Sequence, residues 1–177
     1  MKKEKMKLNK EIVSKIPRDY VFITGTFDID APYFKKRIEE GTKVSPFNYK
    51  TNVHGLQTDW KFFNKDEKLA LFLLQVVDYI DNLNIPLQPF YLHDCWGLIE
   101  RFGDYTKKHK HGGSIFSGVL YLNNHSQKLY FPEIQEEVTP TPGGFVIFTS
   151  FLNHYTPRNI THKDKYAISF NFNEDFV

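Results

Sequence analysis

From residue 90 onward the chain is a succession of short apolar, aromatic and β-branched runs with no helix-length periodic segment between them. The runs are FYLHDCWGLIERF (90–102), IFSGVLYLN (115–123), KLYF (128–131), GFVIFTS (144–150) and YAISFNF (166–172). Each has the composition and length of a strand. Turn-forming residues separate them: GD at 103–104, GG at 112–113, NNHS at 123–126 and PTPGG at 140–144. Parallel neighbours need a crossover of a dozen or more residues, usually a helix. None is available here, which favours antiparallel strands in two layers, a jelly-roll or sandwich, over a parallel α/β sheet. The 17 Phe and 10 Tyr among 177 residues fit that choice, because aromatics favour strands and fill deep cores.

The segment before residue 89 has a different texture. DYVFITGTFDI (19–29) reads as a strand broken near Gly25. Residues 31–40, APYFKKRIEE, read as a short helix that Gly41 ends. A second helix is predicted over 65–83, with Asn64 as N-cap and Glu67 completing a capping box. Leu69, Leu73, Val76, Ile80 and Leu83 recur at helical spacing, and Pro86 and Pro89 bar continuation. Such a helix buttresses a sheet. The length implies one domain over 1–177, with 85–177 as its β core and the basic residues 1–10, MKKEKMKLNK, as a flexible solvated terminus.

Net charge is +2, from 23 basic and 21 acidic side chains, too balanced to point to nucleic acid. No run approaches a membrane span, and the N-terminus lacks the apolar stretch of a signal peptide. The lone Cys95, set among apolar residues, excludes a disulfide framework and fits a reducing cytoplasm, that of a host cell if the chain is viral. The Asn- and Lys-rich composition is that of an AT-rich viral or bacterial genome.

Three histidines carry the chemistry. His109 and His111 are two apart, and in a strand such residues face the same way, roughly 6–7 Å apart at Cα. His154 follows the apolar run FVIFTSFL, at a strand end that a double sheet can bring beside the first pair. Three imidazoles converging at about 2.0–2.2 Å make a metal site. His93 and Asp94 are reserve ligands. His54, His125 and His162 lie in polar, irregular stretches and read as surface residues. No nucleophile elbow, dinucleotide fingerprint or phosphate loop is present.

The order Trp96, Gly103-Asp104, His109-x-His111, Ser117-Gly118-Val119-Leu120-Tyr121-Leu122, Pro142-Gly143-Gly144, Phe148-Thr149-Ser150, His154 and Ser169-Phe170-Asn171-Phe172 resembles the iron(II)/2-oxoglutarate-dependent dioxygenases, in their phage and bacterial prolyl-hydroxylase-like branch. The resemblance spans roughly residues 55–177. It implies a mainly β, cupin-like double-stranded β-helix with N-terminal buttressing helices. It also implies an Fe(II) held by His109, His111 and His154 as catalytic residues, with 2-oxoglutarate and O₂ as co-substrates. His111 stands where the family usually has a carboxylate. With three neutral imidazoles, a dianionic 2-oxoglutarate leaves an Fe(II) site neutral.

The family's co-substrate pair is often Arg-x-Ser, and the matching positions are Lys165 and Ala167. Lys165 keeps a cation for the distal carboxylate but loses the planar grip of Arg. Tyr121 either adds a phenol to that carboxylate or packs in a strand core. Trp96, Phe116 and Phe148 either line an aromatic chamber or belong to the core. The function implied is hydroxylation of a peptidyl, prolyl-like, or small-molecule substrate. Two alternatives stand beside it: a non-catalytic metal-binding β-barrel module, and a three-histidine oxygenase that does not use 2-oxoglutarate.

Overall fold

A computed structural model describes residues 6–14, 19–44, 51–83 and 85–175. The expected strand-rich core is present as two antiparallel sheets. The larger runs β1 (Lys7–Ser14), β2 (Tyr20–Thr26), β10 (Gly144–Thr149), β7 (Phe116–Tyr121), β12 (Lys165–Glu174), β5 (Phe90–Glu100) and β4 (Leu56–Gln57), in that spatial order. The smaller runs β3 (Val53–His54), β6 (Tyr105–His109), β11 (His154–Thr156), β8 (Leu129–Phe131) and β9 (Glu136–Val138). The fold is a jelly-roll double-stranded β-helix, with helices α1 (Ala31–Val44) and α2 (Glu67–Asp81) beside it.

Period-two alternation assigns every strand of the large sheet an inner and an outer face. On β7, Phe116 and Leu120 face outward into the helix-covered core, while Ser117, Val119 and Tyr121 line the cavity between the sheets. On β12, Ile168, Phe170 and Phe172 join the outer core, and Lys165, Ala167, Ser169 and Asn171 line the cavity. The outer core is finished by Phe34 and Ile38 of α1 and by Leu69, Phe72, Leu73, Val76 and Ile80 of α2. Phe72 is fully buried and meets the rings of Phe27, Phe145 and Phe170. A second apolar cluster, with Phe22, Leu129, Phe131, Val146, Phe148 and Leu152, fills one end of the space between the sheets.

Local expectations differ from the structure in several places, the first being that β2 runs unbroken through Gly25 to Thr26. Residues 7–10, expected as a solvated terminus, are part of β1 and pair with β2. Gly41 does not end α1, which continues to Val44; the glycine is instead a packing residue, set against the Phe62 ring where an added Cβ would come within 2.7 Å. The N-cap of α2 is Asp66, not Asn64. Its carboxylate accepts from the Leu69 N–H, and a negative charge suits a helix N-terminus. Asn64 instead donates to the His93 carbonyl and ties the turn to β5. His125 is buried rather than exposed. Its Nδ1 accepts from the Gln127 N–H, and its Nε2 donates to the Lys163 carbonyl.

Candidate metal centre

His109 ends β6 and His154 opens β11, and the two are direct partners across that antiparallel pair. Cross-strand neighbours bring their side chains together, and here the ring centroids are 4.3 Å apart. His111 arrives differently from the expected same-strand projection. β6 stops at His109, and the chain turns through Gly112 and Gly113, the latter at φ +97°, a backbone that favours glycine. His111 is set by the loop: its N–H donates to the Ser150 carbonyl at 2.9 Å, and the Ser150 N–H donates to Ile115 at 3.0 Å. Its ring lies 5.0 Å from that of His109 and 5.1 Å from that of His154.

One nitrogen from each of the three rings lies within 4.8 Å of the other two. Three such points fit within about 3 Å of a common centre, so bond lengths of about 2.0–2.2 Å need little further closure. Hydrogen bonds fix which nitrogen is available. Nδ1 of His109 meets the Lys107 carbonyl at 2.8 Å, and Nδ1 of His154 meets the Leu152 carbonyl at 3.0 Å. A carbonyl only accepts, so each Nδ1 carries the proton and each Nε2 keeps a free lone pair. The Asn171 side chain lies beside the His111 ring and favours its protonated form. Asn171 in turn accepts from the Ser117 hydroxyl at 2.8 Å, and Ser117 is linked to Ser150 at 2.9 Å. Second-partner hydrogen bonds of this kind orient metal-binding imidazoles.

Burial also keeps the rings uncharged. It pushes His109 and His154 below the ordinary imidazole value, His154 strongly, and the neighbouring imidazoles push His154 further. His111 falls to about 4, from burial and then from repulsion by His109, against the opposing pull of Asn171. Neutral, oriented imidazoles with convergent lone pairs are the donor set a divalent transition metal requires. The residues therefore fit a divalent transition metal.

Beyond the histidines the cavity runs inward between the sheets. Trp96, Phe148 and Tyr121 line it, whereas Phe116 faces the other way, into the outer core beside Phe90. Tyr121 is buried, and burial and the nearby Glu100 carboxylate hold its phenol well above the ordinary tyrosine value. Lys165 lies at the inner end, 3% exposed, and its ammonium is ion-paired to Glu100, itself 2% exposed. Glu100 is the residue directly opposite Lys165 across β5 and β12. Its other oxygen accepts from the hydroxyls of Thr106 at 3.1 Å and Thr156 at 2.9 Å. The anion that compensates the buried lysine is thus supplied by the chain itself. The sequence reading missed Glu100. Its available signal was parity, since it shares a strand face with Trp96 and Leu98.

Outward from the histidines a cleft of about 460 Å³ opens between Trp60, Trp96, Lys110 and Asn173. The reserve ligands His93 and Asp94 line this cleft and stand outside the histidine cluster. Trp96 Nε1 and Asn173 Oδ1 are buried without a hydrogen-bond partner. His54 stacks on Tyr105 and His162 on Phe102, both away from the cluster. Cys95 is fully buried, which raises its thiol pKa well above the ordinary value. No described helix is long and apolar enough to cross a membrane.

This fold is shared with solved prolyl hydroxylases and other 2-oxoglutarate-binding enzymes. The viral collagen prolyl hydroxylase of Paramecium bursaria Chlorella virus-1, solved with 2-oxoglutarate, superposes with a TM-score of 0.70 over 87% of this chain and 96% of its own, at 12% identity. A prolyl-4-hydroxylase from Pseudomonas putida gives 0.65 over 88% and 93%, at 16% identity. HygX from Streptomyces hygroscopicus, solved with nickel and 2-oxoglutarate, gives 0.61 over 89% and 83%, at 14% identity. At these identities the likeness is one of fold. No protein-family model and no curated protein matches the sequence.

Proposed function

We propose that this chain is an iron-dependent oxygenase that uses a 2-oxo acid as co-substrate and hydroxylates a peptidyl or small-molecule substrate. The observation that carries the reading is the convergence of His109, His111 and His154, with His109 and His154 each oriented by a backbone carbonyl, at the mouth of a cavity in an oxygenase fold. Fe(II) bound there would supply O₂ activation. The chain's own part is positional. His109 and His154 present Nε2 from neighbouring strands, and Asn171 lies beside the His111 ring. Phe148 packs on His154 at 4.7 Å and keeps water from one side of the centre. The cleft between Trp60 and Trp96 would receive the substrate.

The far end of the cavity fits 2-oxoglutarate less well, because Glu100 already holds the Lys165 ammonium. The reading is tested by titrating the protein with Fe(II) under nitrogen and then adding a 2-oxo acid. One equivalent of metal should bind, and a weak visible charge-transfer band should appear when the acid chelates it. A protein with these histidines that takes up no divalent metal refutes the proposal.

A further inference from the structure

We infer that the inner cavity selects a short 2-oxo acid without a distal carboxylate, and that Glu100 is the residue that sets this specificity. The inference rests on the proposed reading of the histidine cluster and refines its co-substrate class.

The argument is local electrostatics and space. The cavity has two ends. At the histidines, a metal would receive the carboxylate and keto oxygens common to every 2-oxo acid. At the other end the only cation lining the cavity among the described residues is Lys165, and its partner is the Glu100 carboxylate. That carboxylate is not free to leave: Thr106 and Thr156 hold one oxygen, and Lys165 holds the other. The Thr156 hydroxyl is further engaged by the Thr106 N–H at 2.9 Å.

A second carboxylate arriving here would share one ammonium with a first. It would sit beside a buried like charge, which is strongly unfavourable where water is excluded. A neutral tail meets no such penalty, because Leu98, Val119, Leu129 and Ala167 supply apolar wall around the ion pair. Size points the same way. The cavity volume is about 60 Å³, room for roughly four to six water-sized groups at about 10–15 Å³ each. That is well short of the carbon and oxygen atoms of 2-oxoglutarate and much nearer to those of pyruvate; 2-oxobutyrate, one methylene longer, extends its tail along the apolar wall.

The test is a binding measurement under nitrogen on the Fe(II)-loaded full chain, read by the chelate absorbance and by calorimetry. The unmodified protein should bind 2-oxobutyrate at least tenfold more tightly than 2-oxoglutarate. Glu100→Gln keeps an oxygen for the two threonine hydroxyls and removes the charge. It should tighten 2-oxoglutarate by about tenfold to hundredfold, the worth of one charge-assisted contact, and change 2-oxobutyrate less than about threefold. Glu100→Gln combined with Lys165→Met removes both charges. It should keep 2-oxobutyrate binding and show no gain for 2-oxoglutarate. A tenfold preference of the unmodified protein for 2-oxoglutarate overturns the inference without need of any variant. So does an unchanged ratio of the two acids in Glu100→Gln. If the metal binds but neither acid does, the inference falls together with the 2-oxo-acid reading itself. If either acid binds, that reading stands whatever becomes of Glu100.

Discussion

Replacing Lys165 by Met should destabilise the protein by about 3–5 kcal/mol, the usual cost of breaking a buried ion pair from one side. The structure supplies the terms. Lys165 and Glu100 are 3% and 2% exposed, and the methionine stem fills nearly the volume of the lysine stem, so little cavity is created. The two threonine hydroxyls on Glu100 survive the change. The loss is therefore that of a buried anion left with two neutral donors and no counter-charge. For a chain of this size each kcal/mol moves Tm by about 2–4 °C, so thermal unfolding should begin about 6–20 °C lower. Removing the carboxylate as well, in Glu100→Met with Lys165→Met, should recover most of the loss, because apolar replacement of a whole buried pair is often neutral or better. Urea unfolding of the four members of this cycle, followed by tryptophan fluorescence, measures both numbers. A single-variant cost below about 1 kcal/mol would refute the reasoning, since it would mean that Glu100 reaches water and the pair is not sealed inside.

Other predictions concern the histidine cluster. His154→Ala should abolish stoichiometric metal uptake, whereas His111→Asp should keep it, because two histidines and a carboxylate also make an iron site; metal content by elemental analysis checks both. Asn171→Ala should weaken metal affinity by about tenfold to hundredfold, the usual effect of removing a partner that orients a ligand, with the fold intact by circular dichroism. The histidines are held below their ordinary value, so the native state binds fewer protons than the unfolded one. The stability this confers is present above about pH 6.5 and is lost as pH falls towards about 4, where His111 titrates. Denaturation of the metal-free protein across that range should show stability rising with pH, and a flat profile would contradict the burial of the rings. Phe72→Ala should cost about 3–5 kcal/mol and leave metal affinity unchanged, since the ring sits wholly in the outer core.

Much of the architecture was legible locally. A strand's two faces follow from alternation alone, so the inward placement of Lys165, Ala167, Ser169 and Asn171 could be read from YAISFNF and its flanking lysine. The absence of helical segments after residue 89 favoured antiparallel pairing, and the three histidines could be nominated by residue type. What alternation does not contain is register between strands distant in sequence, or the path of a loop. His154 faces His109 because β11 pairs with β6, and His111 joins them because its loop is bonded to Ser150, not because of its spacing from His109. Asp66 caps α2 because the helix starts at Glu67, while Asn64, two residues earlier, bonds to the His93 carbonyl. Glu100 reads in sequence as a charge ending an apolar strand. Only the pairing of β5 with β12 places it opposite Lys165, because whether a buried charge is compensated depends on what stands across the sheet, and that is decided by the tertiary fold.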